Sequence, residues 1–337
     1  MIIDAIAKLT EGISLSFDEV TAATQEIMTG EASSAQIAGF LTALRIKGET
    51  AHEVAGMATV MRSHSEKVNY KGDVIDLVGT GGDSVGPFNI STASCFVMAA
   101  GGIKIAKHGN RAMSGLMGSA DLLEALGVKI SLTADGVKRC IEEVGLGFMF
   151  APSFHPATKH AAPVRRELGI RTVFNILGPL TNPASAPYQL IGVPNVETAE
   201  KIANVLSILG TKRSWVVSGD DGMDEITTTD TSSAWEVTGS KIRPFVISPE
   251  DAGIERASIL DLKPINTDES IAMFHESLST KSSPRKDIVL LSSGAGFTIS
   301  GVTADIRSGV AMAREIVDSG EPISKLNALI EFSNTVN

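Results

Sequence analysis

Residues 74–92 read VIDLVGTGGDSVGPFNIST. The first five are β-branched or apolar apart from Asp76, which is the composition of a strand buried on both faces. Gly79, Thr80, Gly81, Gly82 and Asp83 then supply turn chemistry, and Asn89, Ile90, Ser91 and Thr92 open an apolar helical run over 92–100. A strand that runs into a glycine loop and on into a helix N-terminus is the opening unit of a parallel α/β sheet. Downstream the alternation continues. Short runs at 103–106, 148–151, 190–193 and 215–218 predict strands, with helical patterns at 121–126 and 199–209 between them. Segments 234–237, 244–247 and 288–291 predict further strands, some antiparallel at an edge.

Upstream, three capping boxes mark helix starts: Ser16 with Glu19, Ser33 with Gln36, and Thr50 with Glu53. Each is followed by apolar residues at helical spacing, and Gly12, Gly30 and Gly48 close the segments. Residues 1–65 therefore form a small helical domain and 70–337 a large α/β domain with a mostly parallel central sheet. The stretch 161–187 holds four prolines and predicts a crossover that rejoins the helical domain.

Of the 337 residues, 43% are hydrophobic and 20% charged, with a formal net charge of −10. That balance belongs to a folded globular chain, with disorder expected only at the C-terminal tail. The negative charge and the absence of Lys/Arg clusters argue against a nucleic-acid surface. No apolar stretch approaches the ~20 residues needed to span a bilayer, and the N-terminus has no signal-peptide pattern. Cys95 and Cys140, both in apolar helical patterns, are expected to be buried thiols in a reducing cytoplasm.

The chemistry gathers at two glycine-rich loops. In the first, glycines let backbone N–H groups approach an anion, and the helix beginning near Ser91 adds its positive end. Asp83 would repel a bare phosphate, so it suits a ligand that also carries ribose hydroxyls or a bridging metal. The pattern is neither GxGxxG nor GxxxxGKS. The second loop follows the next strand and reads IKIAKHGNRAMSGLMGSADLLEALG over 103–127. It clusters Lys107, His108, Gly109, Asn110 and Arg111, with Ser114 and Ser119 before an apolar helix. Lys107 falls at a strand's C-terminal end, where open α/β sheets bind ligands. Asp224 and Glu225 close the glycine-broken acidic loop 219–225, whose hard oxygens on a flexible turn suit magnesium. An exposed, solvated turn is the alternative reading, and it is expected for Asp220 and Asp221.

Taken together, GTGGD, NIST, AKHGNR, GSADLLEALG, PVRRELGIRTVFNILGPLTNP and DGMDE occur in one order from Gly79 to Glu225. In that order they resemble the anthranilate phosphoribosyltransferase family. The resemblance implies a nucleoside phosphorylase/phosphoribosyltransferase-like fold and a homodimer paired through the helical domain. It also implies transfer of a phosphoribosyl group from phosphoribosyl pyrophosphate to anthranilate. On the resemblance, Gly79, Gly82, Asp83, Asn89, Ile90, Ser91, Thr92, Lys107, His108, Gly109 and Ser119 contact substrate, chiefly the donor. Asn110 and Arg165 hold anthranilate, with Lys107, Asn110 and Arg165 as the catalytic set, and Ser91, Asp224 and Glu225 hold Mg2+. Phe150, Ala151 and Pro152 would wall the acceptor, with His155 nearby, and Arg166 is expected to be a surface charge.

The chain departs from the family pattern at Pro87, where relatives carry Thr, and at Ala112, Gly115 and Met117, which replace serines. Fewer side-chain donors for phosphate imply weak donor affinity. Two other readings fit the same motifs: a related transferase with another aromatic amine acceptor, or a catalytically silent paralogue that binds a partner.

Overall fold

The computed structural model describes residues 1–83, 85–112 and 115–336. Four helices lead the chain: α1 (Ile2–Thr10), α2 (Phe17–Thr29), α3 (Ser34–Lys47) and α4 (Ala51–Ser63). All three capping boxes form, each with its Ser or Thr side chain accepting from the backbone three residues on and the Glu or Gln reaching back. Gly30 ends α2 at φ 79°, a left-handed conformation that a side chain would strain. α2 and α4 approach so closely that a Cβ at Gly56 would lie 2.5 Å from Val20 Cγ1. Glu53 extends its capping role: fully buried, it also accepts from the Leu15 amide at 2.9 Å and pairs with Lys47 Nζ at 2.9 Å. One carboxylate thus ties α3 and α4 to the loop before α2.

Seven strands form a single sheet in the order β3-β2-β1-β4-β5-β6-β7. They are β1 (Ile75–Gly79), β2 (Ile105–Gly109), β3 (Leu146–Phe150), β4 (Tyr188–Gly192), β5 (Arg213–Gly219), β6 (Ser232–Thr238) and β7 (Lys241–Ile247). β1 to β5 run parallel, while β6 and β7 pair antiparallel at one edge. Helices α5 (Ile90–Ala100) and α6 (Ser119–Ala125) follow β1 and β2. The chain winds outward from β1 through β2 to β3 and then returns to place β4 on β1's other side. The C-terminal ends of β1 and β4 therefore flank the point where strand order reverses, the usual ligand crevice of such sheets.

Two apolar cores lie on the two faces. One packs α5 and the C-terminal helices against β1, β2 and β3. The other combines α1–α4 with Ala161, Val164, Phe174, Leu177 and Leu180 and with the helix Val196–Leu209. Residues 161–180 thus contribute buried side chains to the helical layer.

Two sequence expectations are corrected. Residues 288–291 are not a strand but part of the helix Pro284–Ile299, which is buried over nearly its whole circumference. A helix apolar all round has no polar face to reveal its period, so a β-branched stretch within it reads as a strand. The C-terminal tail is likewise ordered, as the helix Glu321–Thr335. It docks through Ser333, whose hydroxyl accepts from the Lys129 amide at 3.1 Å, and through Asn334, which donates to the Gly127 carbonyl at 2.9 Å.

Candidate active site

Gly79 ends β1 and the loop beyond it is held from both sides. The Gly81 amide donates to Asp224 Oδ2 at 2.7 Å, and the Ser91 amide, in the first turn of α5, donates to Glu225 Oε1 at 3.2 Å. A side chain at Gly79 or Gly192 would collide with Asp224, so the ends of β1 and β4 are glycine because the acidic loop packs directly on them. Asp224 and Glu225 are half-buried, which corrects the exposed acidic turn considered from sequence. The turn itself is built by Asp221, which accepts from the Met223 amide and from the Thr227 and Thr229 hydroxyls, while Asp220 accepts from Thr231.

Charge is unbalanced here. Burial, reinforced by the Asp83 carboxylate, pushes Asp224 up to about 7, and burial with the Asp224 charge pushes Glu225 up to about 8. Burial also raises Asp83, which caps the turn by accepting from the Gly86 amide at 3.3 Å. Arg171 and Lys107 only partly offset these carboxylates. A divalent cation would relieve the strain between them, and the donor set of carboxylate and hydroxyl oxygen fits Mg2+. Among the described residues no group of three or more metal-ligating side chains forms a cage. The remaining positions would fall to water and phosphate oxygens, as magnesium prefers.

Lys107 is only 2% exposed. Its Nζ donates to the Leu77 carbonyl at 2.7 Å and to Ser91 Oγ at 3.3 Å, so the ammonium sits beneath the start of α5 instead of projecting freely. Under it lies a residue that sequence reading passed over. Asp76, fully buried on β1, accepts from the His108 amide at 3.2 Å and from Asn182 Nδ2 at 2.7 Å. Burial raises its carboxyl to about 6 against the pull of Lys107. The signal was available: a lone acid in an apolar strand needs a buried partner.

Asn89 is the N-cap of α5 but makes no side-chain cap; its Nδ2 crosses to the Met117 carbonyl at 3.1 Å, tying the first loop to the second. In the second loop Ser119 Oγ lies 3.5 Å from the Asn110 carbonyl, and a side chain at Gly109 would strike Ser119. Asn110 is exposed, with its Oδ1 accepting from the Arg111 amide at 2.8 Å. Arg111 is a surface partner of Asp121 and Glu124 and lies over the Phe150 ring. The departures take structural places: the Ala112 amide donates to Asp121 at 2.8 Å, Met117 supplies the carbonyl used by Asn89, and Gly115 is exposed. Ser114 lies outside the described residues.

Arg165 is half-buried with its guanidinium 4.9 Å from the Phe174 ring centre, and burial lowers its pKa. It has no bond to the donor loops among the described contacts. Arg166 is exposed. His108 and His155 stand with ring centres 5.1 Å apart, both 4% exposed. Burial, then the facing ring, takes His108 down to about 3; burial, then Lys67, takes His155 down to about 4. Both are neutral near pH 7. A second residue missed from sequence is Arg171, whose Nη1 and Nη2 donate to the Gly82 and Gly81 carbonyls at 3.2 and 3.4 Å.

Several buried polar atoms around this crevice lack a partner: Thr80 Oγ1, Asn89 Oδ1, Thr92 Oγ1, Thr172 Oγ1, and Nε2 of both His108 and His155. Folded proteins satisfy nearly all such atoms, so their concentration here points to a polar ligand. The glycosyl transferase family a/b domain matches residues 71–323 and its helical bundle domain residues 3–65. The chain is 48% identical over 338 aligned positions to an anthranilate phosphoribosyltransferase of Dehalococcoides mccartyi, covering 100% of this chain and 99% of that one. This chain belongs to the anthranilate phosphoribosyltransferase family. Among solved structures of the family, that of Thermus thermophilus superposes with a TM-score of 0.92 at 42% identity, covering 98% and 99% of the two chains. The Saccharomyces cerevisiae protein in complex with phosphoribosyl pyrophosphate and Mg superposes at 0.91 with 26% identity, covering 99% and 98%. Its complex with 4-fluoroanthranilate gives 0.88.

Proposed function

We propose that this family member transfers the phosphoribosyl group of phosphoribosyl pyrophosphate to anthranilate, working in the cytoplasm as a homodimer in tryptophan biosynthesis. The observation that carries the reading is the meeting of Asp224 and Glu225 with the Gly81 and Ser91 amides. There the acidic pair meets the glycine loop and the positive end of α5. A donor that brings both pyrophosphate and a divalent ion suits both. The yeast complexes support the same donor and an anthranilate-like acceptor.

In this reading Gly79, Gly82, Asp83, Asn89, Ile90, Ser91, Thr92, Gly109 and Ser119 hold the donor, Asp83 toward the ribose hydroxyls. Asp224, Glu225 and Ser91 would hold Mg2+, which neutralises charge on the leaving pyrophosphate. The amine attacks C1 of the ribose, the C1–N bond forms as the C1–O bond to pyrophosphate breaks, and the nitrogen then loses its proton to water. Lys107 and the start of α5 stabilise the departing charge from below. Arg165 and Asn110 hold the acceptor carboxylate, and the neutral His108 and His155 line its pocket without acting as charged groups. Exposed Ile3 and Ile46 on α1 and α3 support pairing through the helical layer.

The test is loss of anthranilate fluorescence on adding phosphoribosyl pyrophosphate and magnesium, compared across substituted aminobenzoates. Anthranilate is expected to be the best acceptor; a faster reaction with another amine would reassign it.

A further inference from the structure

At the opposite end of the sheet from the active site, a cavity of about 330 Å³ opens where the helical layer meets the starts of β4 and β5. Its walls include Arg62, Ser185, Gln189, Leu206, Leu209 and Thr211. Most of its polar groups are already engaged. Gln189 Nε2 donates to the Pro179 carbonyl at 2.8 Å, and Thr211 Oγ1 bonds the Pro187 carbonyl and Ser214 at 2.9 and 2.7 Å.

Arg62 is the exception. It lies in the last turn of α4, is half-buried, and uses only Nε, which donates to the Leu180 carbonyl at 2.7 Å. Among the described residues its Nη1 and Nη2 have no hydrogen-bond partner and no carboxylate pairs with it. The charge beside it is another cation, Lys67, whose own ammonium bonds the Arg62 carbonyl. Lys212 at the rim is already paired with Asp73. A half-buried guanidinium with no anion beside it keeps two donors free for a ligand, and its partial burial lowers its pKa. The facing wall is irregular too: Ser185, at φ 51°, is the only described non-glycine residue in the left-handed region. Such backbone persists where its surroundings fix it, often at ligand sites.

We infer that this cavity is a second ligand site, in which the planar Nη1/Nη2 edge of Arg62 receives the carboxylate of a small organic acid whose apolar body lies on Leu209. The geometry favours a carboxylate because a guanidinium binds one through two parallel hydrogen bonds, and the half-buried Leu209 suits a short apolar tail. A ligand here would bridge α4 to the start of β4, whose far end, Gly192, packs against Asp224.

The test is calorimetric titration of the full chain with 4-methylpentanoate, alongside Arg62→Gln, Leu209→Trp and Arg165→Ala. Saturable binding is expected in the wild type and in Arg165→Ala, which excludes the active-site arginine as its source. Binding should weaken about tenfold or more in Arg62→Gln, as for loss of a charge-assisted bond, and equally in Leu209→Trp, which fills the cavity while keeping the arginine. If Arg62→Gln misfolds, Leu209→Trp decides. No binding in the wild type, unchanged binding in Leu209→Trp, or loss in Arg165→Ala would overturn the inference. Because the probe lacks the donor and the reaction, this result stands apart from the proposed activity.

Discussion

Arg165 illustrates how far a single residue can be read. Its place in the PVRREL stretch marked it as an acceptor contact, and the structure adds that it is half-buried against Phe174. Packing of this kind fixes the fork of the guanidinium, so Arg165→Ala should raise the acceptor KM by about ten- to a hundredfold, the loss of a charge-assisted bond. Calorimetry should find donor affinity nearly unchanged; an equal fall for donor would move Arg165 out of the acceptor site. His155 gives a pH signature. Its folded pKa of about 4 lies below the ordinary value of 6.5, so the unfolded chain binds the extra proton. The associated stability is complete above pH 6.5 and is lost as pH falls toward 4, by about 1.4 kcal/mol per unit. Urea unfolding of wild type and His155→Gln between pH 7 and 4 should show a wild-type slope steeper than the variant's, since His108 contributes to both; equal slopes would mean the His155 ring is not held neutral. Sequence named His155 only as a neighbour of the acceptor wall, because nothing local announces that it faces His108 across the fold.

At the scale of elements, the glycine loop was legible because its chemistry is local: strand, glycines and helix start are contiguous. What closes over it was not, since Arg171 comes 89 residues after Gly82. A Cβ at Gly82 would collide with the Arg171 guanidinium, and Gly82 itself has φ 77°. Gly82→Ala should therefore raise the donor KM with little change in melting temperature. Adding Arg171→Ala should recover only the part due to collision, because the backbone strain of about 1 kcal/mol remains. Full recovery in the double variant, read by steady-state kinetics, would show that conformation contributes nothing. The helix starts were equally plain from their capping boxes. The helix Pro284–Ile299 was not, because total burial erased the periodicity that distinguishes helix from strand.

For the whole molecule, the parallel sheet with an antiparallel edge followed from alternating elements, whereas strand order depends on long-range pairing that no local pattern encodes. The helical layer leaves Ile46 82% and Ile3 64% exposed. Large apolar side chains in that position suit burial against a second copy, so Ile3→Asp with Ile46→Asp should shift sedimentation from dimer to monomer; a wild-type monomer would remove the proposed assembly. The central claim is that Asp224 and Glu225 serve a magnesium-bearing donor at the mouth of the glycine loop. It is tested most directly by measuring pyrophosphate release from phosphoribosyl pyrophosphate and anthranilate, over a magnesium titration, for wild type and the Asp224→Asn, Glu225→Gln double variant. The account predicts magnesium-dependent turnover in the wild type and a fall of roughly a hundredfold or more in the double variant, the scale of losing charged groups that stabilise a transition state, with the fold retained by circular dichroism. Turnover at the wild-type rate in the folded double variant at saturating magnesium would contradict it.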